Sequence, residues 1–168
     1  IFGPLTSFSV SVIVSLVEMV TISENGVFGC IMNIISSCSF ACTAAFIYRR
    51  RHTLSGAIIG LVSGWGIMVA VMMLWNYLIA PLYMGYPREA VVELLIPAFL
   101  PFNLIKGGLN AAITMLLYKP VVTALRRSNL IPDTSTAEKS KANVGVILVS
   151  LLIVISCILF ILAFNGVL

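Results

Sequence analysis

Charged side chains are scarce in this sequence. Only 10% of the 168 residues are charged and 60% are hydrophobic, which gives a mean hydropathy of +1.11. A soluble domain carries about 25% charged residues, so this composition excludes an ordinary soluble globular protein. It predicts an all-α, polytopic membrane helix bundle, because helices satisfy their own backbone polar groups in lipid.

The motifs of metal binding and catalysis are also missing. The four cysteines lie in apolar runs, without CxxC spacing and without a neighbouring histidine, so we interpret them as small buried hydrophobic residues. There is no HExxH, GxSxG or P-loop motif and no suitably spaced pair of carboxylates. We therefore expect no metal site, no enzyme activity and no ATPase within this chain.

Long apolar runs are what the sequence has instead. A helix needs about 20 apolar residues to cross the hydrocarbon core. Five runs meet or approach that length: 4–22, 26–48, 54–80, a fourth that starts at 91 or 101 and ends at 118, and 143–165. We predict a membrane bundle over 1–118, a flexible linker over the Ser-, Thr- and Pro-rich stretch 119–142, and an additional C-terminal membrane helix over 143–168.

The basic residues predict the orientation of the bundle. Eight of the ten Lys and Arg residues lie in two stretches, 49–51 and 119–141. Cytoplasmic loops of membrane proteins are enriched in Lys and Arg, so both stretches are predicted to be cytoplasmic. The net charge of +4 thus follows membrane topology and gives no reason to expect nucleic acid as a partner. The loops at 23–26 and 84–91 are predicted to face outward.

Lys106 lies inside the fourth apolar run, where lipid is a poor solvent for an ammonium group. A helix that begins near Pro101 places Asn103 and Lys106 on one face. Two interpretations remain: the lysine extends to the outer membrane surface, or both side chains point into a ligand cavity open to the outside. Asn76, at the outer end of the third run, lies at the same level and favours the cavity. Amides and an ammonium suit a ligand with carbonyl and imide edges.

Other residues have a structural and a functional interpretation. Small residues in the third run, Gly60, Gly64 and Gly66, predict close helix contact. Glu18 is expected in the interior near the outer end of the first run. The aromatic residues near the polar cluster suit either a flat ligand ring or the aromatic belt found at membrane surfaces; they are Trp75, Tyr77, Tyr83 and Phe102.

Several segments resemble a known family. They are FGPLTSF, a run ending in FIYRRR, LSGAIIGLVSG, WNYLIAPLY and LPFNLIKGGLNAAITMLLYK. Over residues 1–119 the chain resembles the riboflavin-binding S component of energy-coupling-factor (ECF) vitamin transporters. The resemblance implies a six-helix protein of the bacterial plasma membrane that captures riboflavin from outside. A transmembrane coupling subunit and two cytoplasmic ATPases would then drive uptake.

The resemblance also implies the ligand-binding residues. Asn76, Asn103 and Lys106 match the positions that lie at the flavin, and Asn33 is a weaker match. Riboflavin is expected as the transported ligand, and no cofactor is expected. Because the chain starts at Ile1 with the FGP motif, we expect the family's first span and most of its second to be missing. The run at 143–165 is expected to be an addition to the six-helix core.

Two other functions stay open from the sequence. One is a structural or assembly membrane protein without a small-molecule ligand, in which the asparagines join helices. The other is a self-sufficient secondary transporter of another vitamin, for which Glu18 is the candidate coupling-ion residue. Within the transporter hypothesis, riboflavin and its monophosphate also stay open as ligands.

Overall fold

The fold was obtained as a computed structural model, which describes residues 2–21, 26–128, 130 and 144–164. The described residues form helices and no strands, which confirms the all-α prediction. The helices are α1 (Pro4–Thr21), α2 (Gly26–Arg50), α3 (Leu54–Met84), α4 (Arg88–Leu94), a π-helical segment (Leu95–Phe99), α5 (Leu100–Arg127) and α6 (Val144–Phe164).

The chain divides into two compact units, Ile1–Gly107 and Gly108–Leu168. In the first unit, α2 packs against both α1 and α3, and α3 also packs against α4 and the π-helical segment. The second unit contains the remainder of α5 and the helix α6. All the candidate site residues lie in the first unit.

Glycines allow α2 and α3 to approach closely. A Cβ added at Gly64 would lie 2.6 Å from the Phe40 carbonyl oxygen, and one at Gly60 would lie 2.9 Å from the Ala44 carbonyl oxygen. Backbone therefore lies directly against backbone at both positions, as small residues in membrane helices permit. At Gly66, by contrast, an added Cβ would meet nothing within 4 Å. The predicted close contact is thus made by two of the three glycines.

The fourth span is built from α4, the π-helical segment and α5. The Leu100 N–H bonds to the Leu95 carbonyl, five residues back, in place of the usual four. Pro101 has no N–H to donate to the preceding turn, and π-helical turns occur where the regular hydrogen-bond ladder is interrupted. The two starts predicted for this span, 91 and 101, lie on either side of this interruption.

Two helices extend beyond the ends predicted for them, and each includes a proline. α3 includes Pro81 and continues to Met84, where Gly85 follows with a left-handed φ of 70°. α5 includes Pro120 and continues to Arg127. Residues 119–127 of the predicted flexible linker are therefore helical, whereas most of 128–142 lies outside the described residues. Membrane helices tolerate proline because neighbouring groups satisfy the freed carbonyls.

Four segments of the described chain are long and apolar enough to cross a membrane. They are Pro4–Thr21, Gly26–Arg50, Leu54–Met84 and Arg88–Leu125. The fifth predicted span coincides with α6. Within α6, the stretch Ile147–Leu159 is apolar but shorter than the other four segments. Large apolar side chains are exposed along these helices, as expected for surfaces that face lipid rather than water. The structure thus agrees with a multi-pass membrane protein.

Candidate functional site

One face of α3 lies against the beginning of α5. A Cβ added at Gly107 would collide with the Trp65 indole and would lie 2.9 Å from the Met68 methyl carbon. Asn76 follows Trp65 by eleven residues, close to three whole helical turns, and therefore lies on the same face. Met68 and Met72 continue this buried stripe between them. The face that carries Asn76 is thus the face that α5 contacts.

Asn103 lies on the opposing face of α5, one turn before Gly107. Its side chain is only 2% exposed, and its Nδ2 donates a hydrogen bond of 2.8 Å to the Phe99 carbonyl oxygen. Phe99 is the last residue of the π-helical segment, so this bond ties Asn103 to the irregular turn. The amide oxygen of Asn103 remains available as an acceptor.

The side chain of Asn76 lies in the buried part of α3. The residue is 4% exposed, and its side chain makes no hydrogen bond within the part of the chain that the structure describes. At 1.5 Å per residue, Asn103 lies about 6 Å from Gly107 along α5, and Asn76 lies about 12 Å from Met68 along α3. Each amide is therefore within about 12 Å, along its own helix, of the contact that Gly107 makes with α3.

Lys106 is partly buried and lies near an acidic group from α1. Its ammonium interacts electrostatically with the carboxylate of Glu18. The same carboxylate accepts a hydrogen bond of 2.9 Å from Asn33 Nδ2, through its Oε2 atom. This hydrogen bond joins α1 to α2, and no hydrogen bond among the described residues joins either side chain to Lys106 of α5.

The aromatic residues around this region have different environments. Phe102 is 61% exposed, and the Arg88 guanidinium lies 5.5 Å from the centre of the exposed Tyr77 ring. Tyr83 stacks on Phe28, with ring centres 6.0 Å apart. The exposed rings of Phe102 and Tyr77 suit the aromatic belt of a membrane surface. Trp75 differs from them, since its indole nitrogen is buried and has no acceptor among the described residues.

Two features of the site were not predicted from the sequence. The first is the hydrogen bond between Asn33 and Glu18, which joins residues 15 positions apart in the chain. The second is Trp65, whose buried indole nitrogen also has no acceptor among the described residues. The only local signal for Trp65 is its position between Gly64 and Gly66, in the middle of an apolar run.

The arrangement offers a ligand both kinds of hydrogen-bonding partner. Asn76 supplies an unused donor and acceptor, the oxygen of Asn103 supplies an acceptor, and Lys106 supplies donors. Met68 and Met72 add buried apolar surface on α3, the kind of surface that lines most small-molecule sites. No group of three metal-ligating side chains occurs among the described residues. The site therefore suits recognition of an organic ligand with polar edges.

Comparisons with known proteins agree with this description. A family model described as the substrate-specific component of ECF transporters matches residues 1–118. The riboflavin transporter RibU of Staphylococcus aureus is 26% identical over 132 residues, covering 75% of this chain and 69% of that protein. The riboflavin transporter FmnP of Bacillus subtilis is 27% identical over 142 residues, covering 77% and 75%. No solved structure matches the chain significantly. The chain thus belongs to the family of ECF transporter substrate-specific components.

Proposed function

We propose that this protein is the substrate-capture subunit of an ECF-type importer and binds riboflavin at the outer side of the bacterial plasma membrane. The observation that carries this proposal is the burial of Asn76 and Asn103, two amides with unused hydrogen-bonding capacity, on helices that meet at Trp65 and Gly107. The family supplies the class of function. Two relatives whose names include riboflavin transport supply the ligand.

The chemistry of the flavin ring fits the polar groups of the site. One edge of the ring presents two carbonyl oxygens and an imide N–H between them. Lys106 and the Asn76 amide can donate to the carbonyls, and the Asn103 oxygen can accept from the imide. The remainder of the ring is flat and apolar, and it suits the apolar lining that α3 provides.

Transport requires partners that this chain does not supply. We expect a transmembrane coupling subunit and two cytoplasmic ATPase subunits to release the ligand inward, with riboflavin as cargo rather than as a cofactor. In this proposal the chain contributes recognition alone and carries out no catalysis. Its apolar helix surfaces contact membrane lipid and the coupling subunit.

Alanine variants of Asn103 and Lys106 test the proposal. Each substitution leaves a polar edge of the bound flavin without its partner, so we expect the dissociation constant of riboflavin to rise more than tenfold. Quenching of flavin fluorescence on titration into the detergent-purified protein measures this constant. Asn110→Ala is the matched control, because Asn110 is exposed on the same helix, two turns further along.

The outcomes separate recognition from a purely structural role. Unchanged riboflavin affinity in both Asn103→Ala and Lys106→Ala would contradict the assignment of the site. Equal weakening in the Asn110→Ala control would show a general effect of altering α5. An assembly protein without a ligand would bind no flavin in any of these forms.

A further inference from the structure

Three consecutive arginines, Arg49, Arg50 and Arg51, form an arginine triad at the end of α2, and the proposed riboflavin site does not use it. α2 ends at Arg50 and is one of the segments that are long and apolar enough to cross a membrane. The triad therefore lies where this helix leaves the hydrocarbon, at the level of the lipid headgroups. All three residues are exposed.

The helices on either side of the triad provide no negative charge to offset it. The sequence has no Asp or Glu between residues 26 and 88, a range that includes the whole of α2 and α3. Three positive charges thus follow one another within a single helical turn. Neighbouring like charges repel one another, and an anion bound among them relieves that repulsion.

Arg50 lies against an aromatic ring of its own helix. Its guanidinium carbon is 4.6 Å from the centre of the Phe46 ring, one turn earlier on α2. A guanidinium that lies over a ring uses its flat face, so the N–H groups at its edge stay free to donate. Those N–H groups match the spacing of phosphate oxygens and can bind two of them together. Phe46 is itself half-exposed and offers an apolar surface beside the charged group.

The turn after the triad brings the beginning of α3 to the same place. The Arg51 N–H still donates to carbonyls of the preceding turn of α2. A Cβ added at Gly56 would collide with the Arg51 carbonyl oxygen, so the first turn of α3 lies directly against the end of the triad. That turn contains no acidic residue. Because a helix N-terminus carries a partial positive charge, the beginning of α3 adds to the charge of the arginines.

We propose that the arginine triad, together with the beginning of α3, binds the headgroup phosphate of an anionic phospholipid. Charge complementarity selects the class of lipid, since a zwitterionic headgroup also carries a positive group, which the triad repels. A lipid suits this place better than free phosphate does, because its acyl chains can contact Phe46 and the apolar surface of α2. The proposal does not depend on riboflavin as the ligand of the other site.

The test measures the lipid selectivity of the complete protein in a neutral detergent. Native mass spectrometry gives the dissociation constants of phosphatidylglycerol, which is anionic, and of phosphatidylcholine, which is zwitterionic. Each Lys or Arg near a membrane surface favours anionic lipid by about fivefold, so we expect the unmodified protein to prefer phosphatidylglycerol by more than about tenfold. The preference should decrease at high salt, because the triad is exposed to solvent.

Substitutions in the triad should remove this preference. Replacing all three arginines with glutamine should leave the two dissociation constants within about threefold of each other. Arg50→Gln alone should lower the preference about fivefold, and it provides a second test if the triple variant does not fold. Replacing all three arginines with lysine keeps the charge, so the preference for the anionic lipid should persist.

Arg88→Gln is the matched control. The Arg88 guanidinium also lies over an aromatic ring, 5.5 Å from the centre of Tyr77, and its removal changes the net charge as much as Arg50→Gln does. Glu89 follows Arg88 directly at the start of α4, so an acidic residue already offsets this arginine. We expect the lipid preference of this variant to stay within about twofold of the unmodified protein.

Each outcome supports the proposal or overturns it. Equal affinity of the unmodified protein for the two lipids overturns it, and so does a preference that survives in Arg50→Gln and in the triple glutamine variant. An equal loss in Arg88→Gln would show that net charge, and not the triad, selects the lipid. Displacement of phosphatidylglycerol by inorganic phosphate at constant ionic strength would assign the site to free phosphate instead. Riboflavin affinity is a separate measurement, so the failure of either proposal leaves the other intact.

Discussion

At the scale of single residues, the packing of α3 does not by itself explain Asn76. It is buried in α3, yet its amide makes no hydrogen bond within the described residues. A polar side chain in the interior that makes no hydrogen bond does not stabilise the fold as an apolar side chain would. Proteins retain such groups where they serve function at the expense of stability, and ligand binding is the function that we propose for Asn76.

Replacing Asn76 with leucine should therefore separate stability from function. Leucine has a similar size and no polar atoms, so we expect the ligand-free protein to be unchanged or stabilised, by about 1 kcal/mol. We expect riboflavin affinity to fall more than tenfold, because a flavin edge loses its partner. Thermal unfolding in detergent and fluorescence titration measure the two effects.

Asn103→Ala provides the contrast for this variant. It removes the hydrogen bond from Nδ2 to the Phe99 carbonyl, so it should lower both thermal stability and riboflavin affinity. If Asn76→Leu binds riboflavin normally, or if it destabilises the ligand-free protein as much as Asn103→Ala does, the amide of Asn76 has a structural role.

Sequence reasoning identifies some of these residues better than others. Lys106, Asn103 and Asn76 stand out because each is a polar group within an apolar run, and their roles at a ligand stay predictions. The interaction between Asn33 and Glu18 depends on the register of α1 against α2. That register is set by packing across a helix interface, and no local pattern encodes it.

At the scale of elements, the contact between α2 and α3 depends on the absence of side chains. Gly64→Ala would place a methyl group 2.6 Å from the Phe40 carbonyl oxygen. Rigid backbone cannot yield as a flexible side chain would, so we expect a loss of about 1–3 kcal/mol, typical of overpacking. The midpoint of thermal unfolding in detergent measures the loss.

Gly66→Ala is the matched control on the same helix. An added Cβ there meets nothing within 4 Å, and alanine favours a helix over glycine by about 0.5–1 kcal/mol. We therefore expect this variant to be as stable as the unmodified protein or more so. Equal destabilisation by the two substitutions would show that α2 and α3 do not meet at Gly64.

The ends of the elements were harder to predict than their existence. Apolar length identified the membrane helices, but the predicted runs stopped at 80 and 118, just before Pro81 and Pro120. Both prolines lie inside helices in the structure. The rule that proline ends helices derives from water-soluble proteins, whereas membrane helices often accommodate it. The π-helical turn before Asn103 likewise depends on packing and prolines together, and hydropathy cannot reveal it.

At the scale of the whole molecule, the loops predict the orientation in the membrane. The basic loop at 51–53 is expected to be cytoplasmic and the loop at 85–87 to face outward. Single cysteines introduced at Thr53 and Tyr86, in a form lacking the four native cysteines, test this in intact cells. Both positions are exposed.

A membrane-impermeant thiol reagent should label the cysteine at position 86 and leave the one at position 53 unlabelled until the cells are opened. The opposite pattern would place Asn76 and Asn103 in the half of the bundle that faces the cytoplasm. It would then contradict capture of a ligand from outside.

The central claim is that this protein captures riboflavin, and the most direct measurement is an absorbance scan of the complete protein purified from cells that contain the vitamin. The account predicts a flavin spectrum that copurifies with the protein at about one flavin per chain and is lost in Asn103→Ala and Lys106→Ala. A colourless preparation of folded protein that also fails to quench added riboflavin would contradict it.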